Sequence, residues 1–328
     1  MTEPGSHAQL SVIIPCFNEE EVLPILRQRL LEALDRLNVA WEVVFVDDGS
    51  TDRTLQTLSE MHQQDSRVKL VGLSRNFGHQ AAISAGLSYA SGDAVAVMDA
   101  DLQDPPDLLV ACLGRWREGY EVVFAVRRSR KENILKRAAY RSFYWLLHTI
   151  ADIPVPLDSG DFCLLDRRVV EVLRSMPERN IFLRGMRAWS GFRQIGIPYE
   201  RDARAAGRTK YPFRKLLRLA LDGIFAFSTF PLRVATWLGL SIVGLSLLGV
   251  IFVLIWRFSG VSFMGQTAKD IPGWAGGIVS MLFLGGVQLL ILGVMGEYLA
   301  RIYSEVKLRP RWIVSTALGF RRSPGQVE

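Results

Sequence analysis

The stretch VMDADLQDPPD, residues 97 to 107, places Asp99, Asp101, Gln103, Asp104 and Asp107 within nine positions, directly after the small apolar run AVAVM. Carboxylates this close repel one another, and ionised acids are costly where water is scarce, so the cluster calls for a cationic partner. Asp99 and Asp101, two positions apart on a chain leaving a strand, can aim at one Mg²⁺ or Mn²⁺, and Gln103 can add a neutral oxygen. Hard cations of this kind keep several waters and bind through one or two carboxylates together with phosphate oxygens. The chemistry expected is stabilisation of the charge that develops on a departing diphosphate.

The surrounding elements determine whether these acids meet other polar groups. Short β-rich runs at 10–15, 41–47, 68–73, 93–99 and 121–126 alternate with helical stretches at 20–37, 54–63, 79–90 and 106–118. Near-continuous apolar strands separated by helices predict an α/β, Rossmann-like domain with a mostly parallel sheet covered on both faces. Ligands bind such sheets at the carboxyl ends of the strands. PCFNEE follows the first strand, VDDGSTD ends the second, LSRNFGHQ the third and DADLQD the fourth. Asn18, Glu19, Asp47, Asp48, Arg75, Asn76, Asp99 and Asp101 are therefore expected along one edge. A solvated turn accounts for any one cluster but poorly for four in register; His79 is expected simply to begin a helix. Neither GxGxxG nor GxxxxGK[ST] follows the first strand, which excludes the dinucleotide fingerprint and the P-loop.

Hydrophobic residues make up 49% of the 328 and charged ones 22%, and the two are segregated. The windows 234–256 and 271–296 carry no charge, and each reaches the roughly 20 apolar residues a transmembrane helix needs. Two C-terminal spans are expected, at about 234–256 and 273–296. Arg208, Lys210, Arg214, Lys215, Arg218 and Arg233 precede the first window, and Arg301, Lys307, Arg309 and Arg311 follow the second. By the positive-inside bias both termini face the cytoplasm, making this a multi-pass protein of the inner (plasma) membrane. The net charge of +6 then lies beside an anionic leaflet, and no nucleic-acid partner is expected. The segments 136–150 and 213–230 mix basic with aromatic and aliphatic residues, as interfacial amphipathic helices do. No cleaved signal peptide is expected at the N-terminus. The expected organisation is a cytoplasmic catalytic domain over 1–210, an interfacial helix over 211–232, two spans within 233–298 and a cytoplasmic tail over 299–328. Cys16, Cys112 and Cys163 lack metal-ligand spacing and are expected as reduced structural thiols.

Taken together, VIIPCFNEEE, VDDGSTDRT, LSRNFGHQAA, VMDADLQDPP, DSGDFCLLDR, FLRG and GRTKYPF resemble the family-2 glycosyltransferases of GT-A fold that charge polyprenyl phosphates. That group includes bactoprenol glucosyltransferases, undecaprenyl-phosphate aminoarabinose transferases and dolichyl-phosphate mannose synthase. The resemblance spans about residues 8 to 313. It implies metal-dependent, inverting transfer of a sugar from a nucleotide donor to the phosphate of a membrane lipid. By motif, Pro15, Asn18 and Glu19 would line the nucleoside pocket and Asp48 would contact base or ribose. Asp99, Asp101 and Gln103 would hold the Mg²⁺ or Mn²⁺ and the diphosphate, with Asp101 counted as catalytic. Asp161, in SGDF, would lie near the acceptor as a base or orienting group; otherwise it is a helix cap or a structural acid. Cys163 stands where many relatives carry a basic residue, which puts one phosphate contact in doubt.

A polyprenyl phosphate is already an anionic nucleophile at neutral pH, so positioning and charge neutralisation should outweigh base catalysis. Arg127, Arg184, Arg208 and Lys210 are the candidates for the acceptor phosphate, although any single arginine could equally be a solvated or headgroup-facing charge. The donor expected is UDP-glucose, with UDP-GlcNAc, UDP-galactose, GDP-mannose or a UDP-linked modified pentose as alternatives. A processive polysaccharide synthase would need a channel that two spans hardly make, and no QxxRW segment is present. A non-catalytic membrane adaptor remains the reading from another class, and a homo-oligomer is expected from the resemblance and from the glycine-rich windows.

Overall fold

The computed structural model describes residues 9–127, 159–178, 182–200, 230–259 and 273–320. The chain divides into two compact units, one comprising 1–149, 153–212 and 309–328, the other 150–152 and 213–308.

In the first unit the five expected strands form as β1 (Leu10–Cys16), β2 (Trp41–Asp47), β3 (Val68–Leu73), β4 (Ala94–Val97) and β5 (Val122–Arg127). Helices α1 (Leu23–Asp35), α2 (Thr54–Gln64), α3 (His79–Tyr89) and α4 (Leu108–Arg117) alternate with them, as the hydrophobic pattern requires. Further along come β6 (Ser159–Asp166), α5 (Arg167–Ser175), α6 (Leu183–Trp189), β7 (Gln194–Tyr199) and, near the C-terminus, β8 (Val314–Leu318). The eight strands form one sheet in the order β7-β5-β6-β4-β1-β2-β3-β8. Six run one way; β6, between β4 and β5, and β8, on the edge beside β3, run against them.

Every residue of β1 and β2 is buried, as apolar strands covered on both faces must be. Alternation along each strand divides the core in two. Leu10, Val12 and Ile14 pack with α1, α2 and α4, whereas Ile13, Val44, Val97, Phe124 and Cys163 pack with α3, α5 and α6. Pro15 is tolerated inside this central sheet because of where β4 stops. Gln9 and Ile13 give their carbonyls to Ala94 and Met98 on the β4 side, and the pairing of β1 with β4 ends at Ile13 with Val97. The N–H that proline lacks thus falls where the neighbour has already left the ladder.

The C-terminal segment departs from the expected tail. Val314–Leu318 adds to the β3 edge, Ser74 N donates to Ile313 O at 2.9 Å, and Ser315 Oγ donates to Gly72 O at 3.0 Å. A bare β3 would expose a row of unpaired backbone groups, and β8 covers them. Residues 321–328 lie outside the described residues.

The second unit contains two long helices, α7 (Phe230–Ser259) and α8 (Gly273–Val306). They include 234–256 and 273–296 of the two charge-free windows. Among the described residues one segment, Phe283–Val306, has the length and apolar composition to cross a membrane, with mean hydropathy 1.6 and none of it buried. The apolar stretch of α7, Val234–Gly249, is shorter than that standard. The expected interfacial helix at 136–150 lies outside the described residues, as does 211–232 up to the start of α7.

Candidate functional site

Four loops at the carboxyl ends of β1 to β4 carry the polar clusters, and hydrogen bonds tie the first to the second and the second to the third. In the first, Asn18 adopts φ +56°, a left-handed conformation that asparagine tolerates better than most residues. From there its Oδ1 accepts Thr51 N at 2.8 Å, and its own amide donates to Ser50 Oγ at 2.9 Å. Glu19 N donates to Thr54 Oγ1 at 2.9 Å. The first loop is thereby latched to the second.

Asp48 latches the second loop to the third. Its buried carboxylate accepts Phe77 N at 2.7 Å and Gly78 N at 2.9 Å. Burial pushes its pKa up, and these amides pull it back only in part. Gly49 is required here twice over. Its φ is +68°, and a Cβ would stand 2.4 Å from the Arg75 backbone carbon, which no side chain could accommodate without separating the loops.

The fourth loop follows β4 and carries the acids. Leu102 has φ +55° and is 2% exposed. That conformation costs a non-glycine residue about 1–2 kcal/mol, offset by burying its side chain and by the turn in which Asp101 Oδ1 accepts Gln103 N at 3.2 Å. Asp101 and Gln103 are left half-buried. Asp104 is buried and accepts the Tyr199 hydroxyl, fixing the loop to the end of β7.

Register brings Asp161 to these acids. β4 and β6 are antiparallel with Val97 opposite Cys163, so two residues further, in the same register, Asp99 faces Asp161. His79, the first residue of α3, lies between them: its Nε2 is 3.4 Å from Asp99 Oδ1 and 3.4 Å from Asp161 Oδ2. Arg184, on α6, donates from Nε to Asp161 Oδ1 at 2.8 Å. Gln80 Nε2 approaches Asp161 Oδ2 at 3.4 Å while its Oε1 accepts Leu183 N at 3.0 Å.

The two facing carboxyls are driven apart in acidity. Burial pushes Asp99 up to about 6, with the charges of Asp161, Asp101 and Asp104 adding to the rise and His79 opposing it. Burial would also raise Asp161, but His79 and Arg184 hold it well below the usual carboxylate range. His79 is raised: burial acts against its charged form, and Asp161 and Asp99 more than compensate. Among the described residues, the buried Asp99 Oδ1 has no hydrogen-bond partner. A desolvated carboxylate oxygen without a donor, in a cluster of acids, fits a divalent cation. Among the described residues no three His, Cys, Asp or Glu side chains close a metal site by themselves, as expected of Mg²⁺ or Mn²⁺ when phosphate oxygens and waters supply the remaining ligands.

Of the residues anticipated from sequence, Pro15, Asn18, Glu19, Asp48, Asp99, Asp101, Gln103, Asp161 and Arg184 lie at this edge. Arg127 ends β5, paired with Tyr199, on the same side of the sheet. Arg208 and Lys210 lie outside the described residues. His79 begins α3 as expected; that it and Gln80 also meet Asp161 was signalled only by GHQ directly following a strand-end cluster, since Asp161 is about eighty positions away.

This fold and edge belong to a glycosyltransferase. The Glycosyl transferase family 2 model matches residues 11–174, and the chain belongs to that family. It is 46% identical over 314 residues to the uncharacterized glycosyltransferase YkcC of Bacillus subtilis (strain 168), covering 95% of each chain. Similarity to the uncharacterized glycosyltransferase sll0501 of Synechocystis sp. (strain ATCC 27184 / PCC 6803 / Kazusa) is also 46%, over 317 residues, 96% of this chain and 98% of that one. The SfII prophage-derived bactoprenol glucosyl transferase of Shigella flexneri is 39% identical over 307 residues, 93% of this chain and 97% of that one.

Proposed function

We propose that the chain transfers a sugar, glucose from UDP-glucose, to the phosphate of a polyprenyl lipid such as undecaprenyl phosphate at the cytoplasmic face of the plasma membrane. The observation that carries this reading is the pair of carboxylates flanking His79. Asp99 is desolvated and open to a cation, and Asp161 is ionised and bound to Arg184. Such a pair provides one half suited to a diphosphate and a second half, centred on an arginine, suited to another phosphate. Similarity to a bactoprenol glucosyl transferase along nearly the whole chain supports the same acceptor.

In this reading Pro15, Asn18, Glu19 and Asp48 line the nucleoside pocket. Asp99, Asp101 and Gln103 hold Mg²⁺ or Mn²⁺, which supplies charge stabilisation to the leaving diphosphate. Arg184, Arg127, Arg208 and Lys210 receive the lipid phosphate. An anionic phosphate oxygen attacks the anomeric carbon from the face opposite the nucleotide; the bond from that carbon to the diphosphate oxygen breaks, and UDP leaves with the electron pair. The configuration inverts and no proton need be removed. This suits Asp161, whose depressed pKa makes it a poor base and whose pairing with Arg184 makes it an orienting group. Helices α7 and α8 would act as two spans, with both chain ends and the catalytic unit cytoplasmic. Association of copies through the glycine-rich helices completes the reading.

The test is transfer of radiolabel from a panel of nucleotide sugars into the organic phase, using purified protein, undecaprenyl phosphate and Mg²⁺ or Mn²⁺, with and without EDTA. EDTA-sensitive label from UDP-glucose is expected. Label from UDP-GlcNAc, UDP-galactose, GDP-mannose or a UDP-pentose alone would replace the donor and keep the reaction. No label from any donor, with folded protein, would favour a non-catalytic adaptor.

A further inference from the structure

The position of His79 carries an inference that rests on the reading above and deepens it. Its Nε2 is equally distant, at 3.4 Å, from an oxygen of Asp99 and an oxygen of Asp161. A ring nitrogen carries at most one hydrogen, and a hydrogen shared at this distance satisfies neither acceptor fully. Both acceptors show the deficit. Among the described residues Asp99 Oδ1 has no hydrogen-bond partner, and Asp161 Oδ2 is reached only at long range, by His79 and by Gln80, each at 3.4 Å.

The two carboxylates serve different ligands. Asp99 is on the donor side with Asp101. Asp161 is on the acceptor side, where Arg184 holds its other oxygen at 2.8 Å. Gln80, next to His79 at the start of α3, also holds the first amide of α6, at Leu183 N, one residue before Arg184. A ligand that takes Asp99 Oδ1 removes one of the two competitors for the Nε2 hydrogen, leaving it to Asp161. The Asp161–Arg184 pair is then fixed from both ends.

We infer that His79 is a positioning residue that couples the two halves of the site, so that cation and nucleotide bound at Asp99 strengthen binding of the acceptor phosphate at Asp161 and Arg184. Coupling of this kind is reciprocal, and between two sites commonly amounts to about 5- to 150-fold in affinity. It makes the enzyme ordered: donor and cation prepare the acceptor site, and a lipid phosphate arriving first binds weakly.

The experiment measures binding without turnover. The dissociation constant of a short-chain prenyl phosphate is determined on the full chain in detergent, alone and with saturating Mn²⁺ and UDP, and that of Mn²⁺ with UDP is determined with and without the prenyl phosphate. The native protein should show each ligand tightening the other by the same factor, about tenfold. His79→Ala should bring both ratios close to one, whatever it does to each separate affinity. His79→Gln, which keeps an N–H donor, should restore part of the ratio; His79→Leu, which has none, read against its own thermal unfolding, replaces the alanine variant if that fails to fold. A ratio of one in the native protein, or an unchanged ratio in His79→Ala, overturns the inference. Failure of the native protein to bind either ligand overturns the functional reading itself, and the inference with it.

Discussion

Arg184 Nε, on α6, donates to Asp161 Oδ1, on β6, at 2.8 Å. Asp161 is 11% exposed and Arg184 34%, so the pair lies between a surface bridge and a buried one. Arg184→Ala should cost about 1–2 kcal/mol of stability, below the 3–5 kcal/mol for a fully buried pair because water reaches the arginine. Its larger effect should be on the acceptor, with kcat/KM for polyprenyl phosphate falling at least tenfold and that for the donor changing less. Because the two side chains act as one unit, the double variant Arg184→Ala/Asp161→Ala should lose little more than the worse single variant. Steady-state kinetics with each substrate varied in turn would check both statements.

Asp99 should lower the stability of the cation-free protein. Its folded pKa of about 6 lies above the ordinary carboxyl value of 3.8; at about 1.36 kcal/mol per unit, ionisation costs the fold at most about 3 kcal/mol. The folded state binds more protons than the unfolded one between these values, so the cost is absent below about pH 4, grows as pH rises to 6, and is constant above. Asp99→Asn should therefore raise the melting temperature in EDTA at pH 7, with the advantage vanishing by pH 4, while saturating Mn²⁺ stabilises the native chain and not the variant. Thermal unfolding across pH 4–8, with and without metal, is the measurement.

What the sequence disclosed of this site follows from which interactions are local. WEVVFVD and AVAV are legible as covered strands because a parallel sheet demands unbroken apolar runs, and VDDGS or DADLQD after them marks the strand end. SGDFCLLD is legible as a motif and much less so as β6, because insertion antiparallel between β4 and β5 depends on pairing Cys163 with Val97 and with Phe124, which no local pattern encodes. VSTAL is hidden for the same reason: five residues beyond a long apolar helix, whose partner β3 lies about 245 positions earlier. His79 reads from sequence as a helix start, which it is; its place between Asp99 and Asp161 is not local, because it depends on the register of β4 with β6.

Removal of β8 tests whether that segment belongs to the catalytic fold. A chain ending at Leu308 would lose the antiparallel partner of β3 and the Ile313 carbonyl that accepts Ser74 N at 2.9 Å. Ser74 begins the loop that Asp48 holds through Phe77 and Gly78. The truncated protein should self-associate through the exposed edge, and the amides from Ser74 to Gly78 should exchange with solvent at least tenfold faster. Size-exclusion chromatography and hydrogen exchange would show this; a monodisperse truncation with unchanged exchange would remove β8 from any role in the site.

Lys69 and Glu42 offer a test of stability away from the strand-end acids. Lys69 Nζ is 2.5 Å from Glu42 Oε2, and Glu42 also accepts Ser11 Oγ, Ser91 N and Ser91 Oγ. Burial favours the neutral acid, yet the bonds from Lys69, Ser11 and Ser91 lower the pKa. A lowered carboxyl pKa contributes stability above the unfolded value and loses it as pH falls through the folded one. Lys69→Met leaves a 4% exposed carboxylate without its cation and should cost about 3 kcal/mol at pH 7, with a flatter loss of stability below pH 4.5 than in the native chain. Urea unfolding at pH 7 and pH 4 would measure both.

Arg187 presents the opposite balance. Its side chain is fully buried, and among the described residues its guanidinium nitrogens have no oxygen or nitrogen partner. The guanidinium lies 4.9 Å from the ring centre of Phe124, and its charge acts to lower the pKa of the buried Cys163 thiol, although burial keeps that thiol above its ordinary value. A cation over a desolvated ring gains about 2 kcal/mol, whereas burying an unpaired charge costs several. Arg187→Met keeps the volume and removes the charge, so it should raise the melting temperature of the unliganded protein, by the equivalent of about 1–4 kcal/mol. A lower melting temperature would mean that the charge is compensated across the Cys163 position by the Asp161 carboxylate, one alternate residue away on β6. In that case Arg187→Met should also weaken prenyl phosphate binding, which the same purified variant would reveal.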